Sequence, residues 1–67
     1  MDTIDSLNAA QEVGAAIADD AAKMDIFAHK DADYYLPVVW FVDSSHQSYA
    51  KCAFYGRLEY LRERAVQ

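Results

Sequence analysis

Cys52 is the only cysteine in a chain of 67 residues. No intrachain disulfide is possible, and this sets the hardest limit on what the chain can fold into. A domain of about 60 residues buries only roughly 60% of the surface its unfolded chain exposes. An ordering entropy of about 1.5 kcal/mol per residue nearly cancels what that burial returns. Chains this short are usually held by disulfides, by a metal or by a second subunit. The first is excluded and metal ligands are sparse, so a homodimer is the expected state. The size allows one small domain, residues 1–67, and leaves almost no room for a self-contained enzyme cleft. Hydrophobic residues make up 54%, but 12 of them are Ala and only 15 are Leu, Ile, Val or Phe. That places the chain just above the disordered range.

A lone cysteine fits a reducing compartment. The N-terminus, Met1-Asp2-Thr3-Ile4-Asp5, is acidic and unlike a signal peptide. The longest strongly apolar run, Tyr34 to Val42, has nine residues and contains Pro37. A membrane-spanning helix needs about 20. The expected location is cytoplasmic.

The formal charge is -5 and the pI about 4.6. The charge is uneven: residues 1–43 carry -7 and residues 44–67 carry +2. Phosphate backbones repel such a protein, which argues against direct nucleic-acid binding. The acidic half suits a partner protein with a basic surface.

Residues 3–30 read as one long helix, with Thr3 or Asp2 as cap and Asp5 in the first turn. Leu7, Ala10, Gly14, Ile17, Ala21, Met24 and Ala28 recur at alternating spacings of three and four, a heptad seam. Most of its members are small, and Gly14 is read as admitting a large side chain from a facing element. His29 and Lys30 suit the helix's last turn.

The run from Tyr34 to Val42 is aromatic and β-branched, which predicts a strand over 36–42. A lone strand leaves its backbone groups unpaired. Pairing with the same strand of a second subunit would satisfy them. Ser44 with Gln47 matches a capping box and predicts a helix from Ser45 to about Ala65. Its stripes are Ala50, Phe54, Leu58, Leu61, Ala65 and Tyr49, Ala53, Gly56, Tyr60. The expected fold is mainly α (α+β): a long N-terminal helix, one short central strand and a C-terminal helix, dimerising. The alternative is an all-α two-helix hairpin, with Pro37 opening a single helix over 37–65.

Chemistry-bearing groups are scattered. Cys52 has no His at a useful spacing, since His46 lies six residues earlier and points elsewhere on a helix. Cys52 reads as a small apolar residue. His29 and Asp33, at i and i+4, lack a third metal ligand. Asp19-Asp20, Asp25 and Asp31-Asp33 lack the glycine and closing glutamate of a calcium loop. Adjacent Asp19 and Asp20 read as a solvated face. No catalytic residue, cofactor or metal site is assigned.

Nine aromatics remain: Phe27, Tyr34, Tyr35, Trp40, Phe41, Tyr49, Phe54, Tyr55 and Tyr60. Trp40, Phe41, Phe54 and Phe27 are core candidates. Tyrosines are enriched at interfaces, and Tyr34, Tyr35, Tyr49 and Tyr55 are candidates for partner contact. In size, acidity and lack of catalytic groups the chain resembles the small inhibitory proteins of phages and other mobile elements. That resemblance is one of character, carries no motif and assigns no residue.

Two functions are expected from these readings. The first is a non-enzymatic acidic inhibitor that blocks the basic nucleic-acid-binding surface of a regulator or an anti-phage, CRISPR-type defence complex. Asp19, Asp20, Asp25, Asp31 and Asp33 would supply charge, and Tyr34 and Tyr35 the anchors. Leu7, Ile17, Val39, Trp40, Phe54 and Leu58 would carry self-association. The second is an assembly subunit that docks on a partner helix through the heptad seam.

Overall fold

The computed structural model describes residues 3–27 and 31–66. Helix α1 spans Leu7–Asp25, α2 spans Ala32–Tyr35, a single 3-10 turn spans Val38–Trp40, and α3 spans Ser44–Ala65. The chain is mainly helical, and no strand forms among the described residues. The all-α class of the alternative fits, but its two-helix hairpin is corrected: α3 starts at Ser44 rather than at Pro37, and α2 and the 3-10 turn stand between the two long helices.

α1 begins at Ser6, whose hydroxyl accepts from the Ala9 amide at 3.4 Å. The expected start near Thr3 gives way because Ile4 is taken into a backbone bridge with Phe41. The Ile4 amide donates to the Trp40 carbonyl at 2.7 Å, and the Val42 amide donates to the Ile4 carbonyl at 3.0 Å. The helix also stops before 30. Asp25 accepts from the Phe27 amide at 3.1 Å, and Arg62 of α3 donates to the Ile26 carbonyl at 2.6 Å. The first gives the Phe27 amide a side-chain acceptor in place of a helical carbonyl, and the second satisfies a carbonyl that the helix C-terminus leaves open. Asp2, Ala28, His29 and Lys30 lie outside the described residues.

The two long helices run parallel, joined by a segment that returns along α3. Four contacts in register show this. Ile4 meets Phe41, Gly14 packs on Ala50, Asp19 pairs with Arg57 and Ile26 meets Arg62. The return segment descends α3 in the opposite sense. The Ala32 amide donates to the Tyr55 hydroxyl at 2.9 Å, Asp33 pairs with Lys51 at 2.5 Å, and Gln47 donates to the Leu36 carbonyl at 3.1 Å.

The predicted strand over 36–42 is therefore corrected. With one bridge and no further partner, the run resolves its backbone locally: Trp40 donates to Pro37 and Phe41 to Val38, each at 3.0 Å. Leu36 and Phe41 are buried and Trp40 packs partly buried against the core, while Val38, Val39 and Val42 face outward. The capping box is corrected too. Asp43, not Ser44, caps α3 by accepting from the His46 amide at 3.1 Å. Gln47, expected to reach the cap, instead ties α3 to Leu36.

The core is small and alanine-rich: Ala10, Ala18, Ala21, Ala32, Leu36, Phe41, Ala50, Phe54 and Leu58. Gly14 is buried among them, pressed on the Ala50 backbone rather than on a large side chain as expected. The seam's inner face is Ala10, Gly14, Ala18 and Ala21, while Leu7 and Met24 are exposed. Ala18 replaces Ile17 because a straight helix falls about 20° short of two full turns every seven residues and so drifts off a heptad seam. Phe54 and Leu36 are the largest fully buried side chains. Phe27, expected in the core, is half exposed.

Candidate functional site

The acidic residues singled out in the sequence divide into two groups. Asp19 is held by Arg57 at 2.8 Å and Asp33 by Lys51. These pairs tie α1 to α3 and α2 to α3, and exposed pairs of this kind contribute about 0–1 kcal/mol each. Asp20, Asp25 and Asp31 are exposed and have no ion-pair partner among the described residues. Their charge faces solvent.

The tyrosine pair divides as well. Tyr35 is half-buried and stacks on Phe54 with ring centroids 5.4 Å apart; Phe54 meets Tyr55 edge-on at the same distance. Tyr34 sits edge-on to Tyr35 at 5.0 Å and is 64% exposed. The four rings form a ladder from solvent to core that presses α2 onto α3. Tyr34 is its outer rung, three residues from Asp31. Tyr55 is a latch for the return segment through its bond to Ala32, a role that sequence spacing did not disclose.

The candidate self-association residues are spread over several environments. Phe54 and Leu58 are buried within the chain, Ile17 and Trp40 are partly buried against the core, and Leu7 and Val39 are exposed. No single surface brings all six together.

At the end where both long helices start, the His46 ring bonds the Asp43 carboxylate at 2.8 Å. This bond, joined by the backbone and charge of Asp5, raises the His46 pKa above its ordinary 6.5; partial burial opposes it. The same bond, with the His46 amide, holds the Asp43 carboxyl below 3.8. A His–Asp pair can orient a general base. Here the ring's hydrogen bond is to Asp43, and no Ser or Cys bonds the ring among the described residues. Sequence reading missed this pair because the Ser44–Gln47 pattern competed for the same turn. Among the described residues no group of three or more His, Cys, Asp or Glu could hold a metal ion; His29 lies outside them. Cys52 is exposed, on a shallow groove lined by Ser44, Ser45, Ser48 and Tyr49. No described helix is long and apolar enough to cross a membrane.

Comparison with protein-family models, curated proteins and solved structures returned no match.

Proposed function

We propose that this chain is a non-enzymatic, acidic protein-binding module: a small inhibitor that covers the basic nucleic-acid-binding surface of a regulator or defence complex. The supporting observation is that Asp20, Asp25 and Asp31 carry charge not neutralised by an ion pair among the described residues, while Tyr34 stands exposed near Asp31. Asp19 and Asp33 are less available for this role, because Arg57 and Lys51 already hold them. Tyr35 supports Tyr34 from beneath. Such a surface gathers a cationic partner from a distance and fixes it with one amphipathic ring. The assembly-subunit reading has less support, since Ala10, Gly14 and Ala21 of its seam are covered by α3.

Partner capture at low and high salt tests this reading. Charge-driven capture weakens as salt rises, whereas apolar docking persists. A captured partner should then bind the triple variant Asp20→Asn, Asp25→Asn, Asp31→Asn with a slower on-rate, and Tyr34→Ala with a faster off-rate. Unchanged rates for both variants would remove the acidic surface and Tyr34 from the site.

A further inference from the structure

Toward their C-terminal ends the two long helices border a groove of about 370 Å³. Asp19, Ala22, Lys23 and Ile26 line one side, and Arg57 and Leu61 the other. A volume of that order suits a small ligand. Ala22, Ile26 and Leu61 are apolar and half-buried. Arg57 is held from two sides. Its Nε donates to Asp19 Oδ1 at 2.8 Å, and its guanidinium carbon lies 5.2 Å from the centroid of the Tyr60 ring. That hydrogen bond uses Nε alone, so both terminal amino groups remain to donate to an incoming acceptor. Lys23 is exposed, one turn beyond Asp19, and makes no ion pair among the described residues. With Asp19 counted against Arg57, Lys23 leaves the lining one positive charge in excess.

We propose that this groove binds a small monocarboxylate with an apolar tail. The head meets Arg57 and Lys23, and the tail lies on Ala22, Ile26 and Leu61. The terminal amino groups of a guanidinium present two parallel donors that match the two oxygens of a carboxylate. Asp19 and Tyr60 hold that fork in place before the ligand arrives, so less freedom is lost on binding. Lys23 adds a point charge from the opposite wall. A single negative charge on the ligand balances the single excess positive charge of the lining. A cationic ligand would be repelled by both Lys23 and Arg57, and a neutral one would gain the tail contacts alone. The orientation follows from the helix ends. The C-terminal carbonyls of α1 disfavour an anion near Ile26, so the head sits level with Asp19 and the tail runs toward Ile26 and Leu61. The residues invoked for partner binding, Asp20, Asp25, Asp31 and Tyr34, do not line this groove, so failure of either reading leaves the other standing.

An NMR titration of the isotope-labelled chain with octanoate at neutral pH tests the site. Saturable amide shifts should centre on residues 19–26 and 57–61, the two walls of the groove. A Kd on the order of 1 mM is expected for a small ligand in a shallow site. Octanol keeps the tail and loses the charge, and should bind about tenfold more weakly. Octylammonium, with the charge reversed, should bind more weakly than octanol. Two variants locate the ligand. Lys23→Gln removes an exposed side chain that makes no ion pair within the chain, and should weaken octanoate about threefold with unchanged helicity. Ala22→Leu fills the groove while keeping both cations, and should abolish saturable binding. Octanol binding as tightly as octanoate would overturn the carboxylate head. Octanoate binding like the parent's in either variant would overturn the groove as its seat, and the surface change at Lys23 decides this even if Ala22→Leu disturbs the fold. A parent chain with no saturable shifts would end the proposal.

Discussion

Gly14 of α1 rests directly on the backbone of Ala50 in α3: a Cβ on Gly14 would lie 2.9 Å from the Ala50 carbonyl carbon and 3.1 Å from its Cα. The carbonyl oxygen would be nearer still. The long helices therefore touch main chain to main chain at this point. That closeness explains how a core with so few large side chains can be packed. Alanines at 10, 18 and 21 continue the close approach on either side.

Gly14→Ala should destabilise the protein by about 1–3 kcal/mol, the usual cost of overpacking, even though alanine is the better helix former. Neither helix backbone can give way without moving the whole helix. Gly56→Ala, in open space, should instead stabilise by about 0.5–1 kcal/mol. Urea unfolding of both variants checks the pair. Equal effects would show that the Gly14–Ala50 contact does not form.

Tyr55→Phe keeps the ring against Phe54 and removes only the hydroxyl that accepts the Ala32 amide. Ala32 is 1% exposed, so water does not readily replace that acceptor. The expected loss is about 1–3 kcal/mol, the cost of a buried amide left without a partner. Hydrogen exchange should quicken first at Ala32 and in the rest of α2. A uniform loss of protection along α1 and α3, with α2 no more affected, would contradict the latch.

Much of this fold was legible in the sequence, and the missing part has a definite cause. The bodies of both long helices followed from Ala-rich stretches and the Ala50–Phe54–Leu58 stripe. The run 34–42 read as a strand because β-branched and aromatic residues fit a pleated surface. Strand propensity cannot act without a pairing edge, and here that edge is one residue, Ile4. The parallel course of α1 and α3 was hidden for a related reason. It depends on a return segment fixed by Tyr55, Lys51 and Gln47, at sequence distances of 23, 18 and 11 from their partners. Periodicity reports on neighbours in one element and is silent on such contacts. In the candidate site, the exposed acids were legible as composition, but the capture of Asp19 and Asp33 by basic residues of α3 was not.

Leu36 and Val39 should behave in opposite ways, although they lie three residues apart in one apolar run. Leu36 is fully buried and Val39 is 77% exposed. Leu36→Ala should cost about 2–5 kcal/mol, enough to unfold a domain of this size. Val39→Asp should change the stability of the folded chain by no more than about 0.5 kcal/mol. A thermal melt of each variant at low concentration checks this. Unfolding by Val39→Asp would return the run to the core.

The Asp43–His46 contact makes stability depend on pH in two directions. The folded pKa of His46 lies above 6.5. Its contribution is full below the unfolded value and is lost as pH rises through the raised folded value. The folded pKa of Asp43 lies below 3.8, so its contribution is present above that value and is lost as pH falls through the lowered one. The pair should stabilise most between about pH 4 and pH 6.5, where both groups are charged. His46→Gln should flatten the alkaline side of a urea-midpoint profile. Asp43→Asn should flatten both sides while keeping the helix cap, since Asn caps as well as Asp. His29 is the second histidine, so the difference between parent and His46→Gln isolates the relevant titration. Identical profiles in parent and both variants would mean that the ring and carboxylate do not meet in solution.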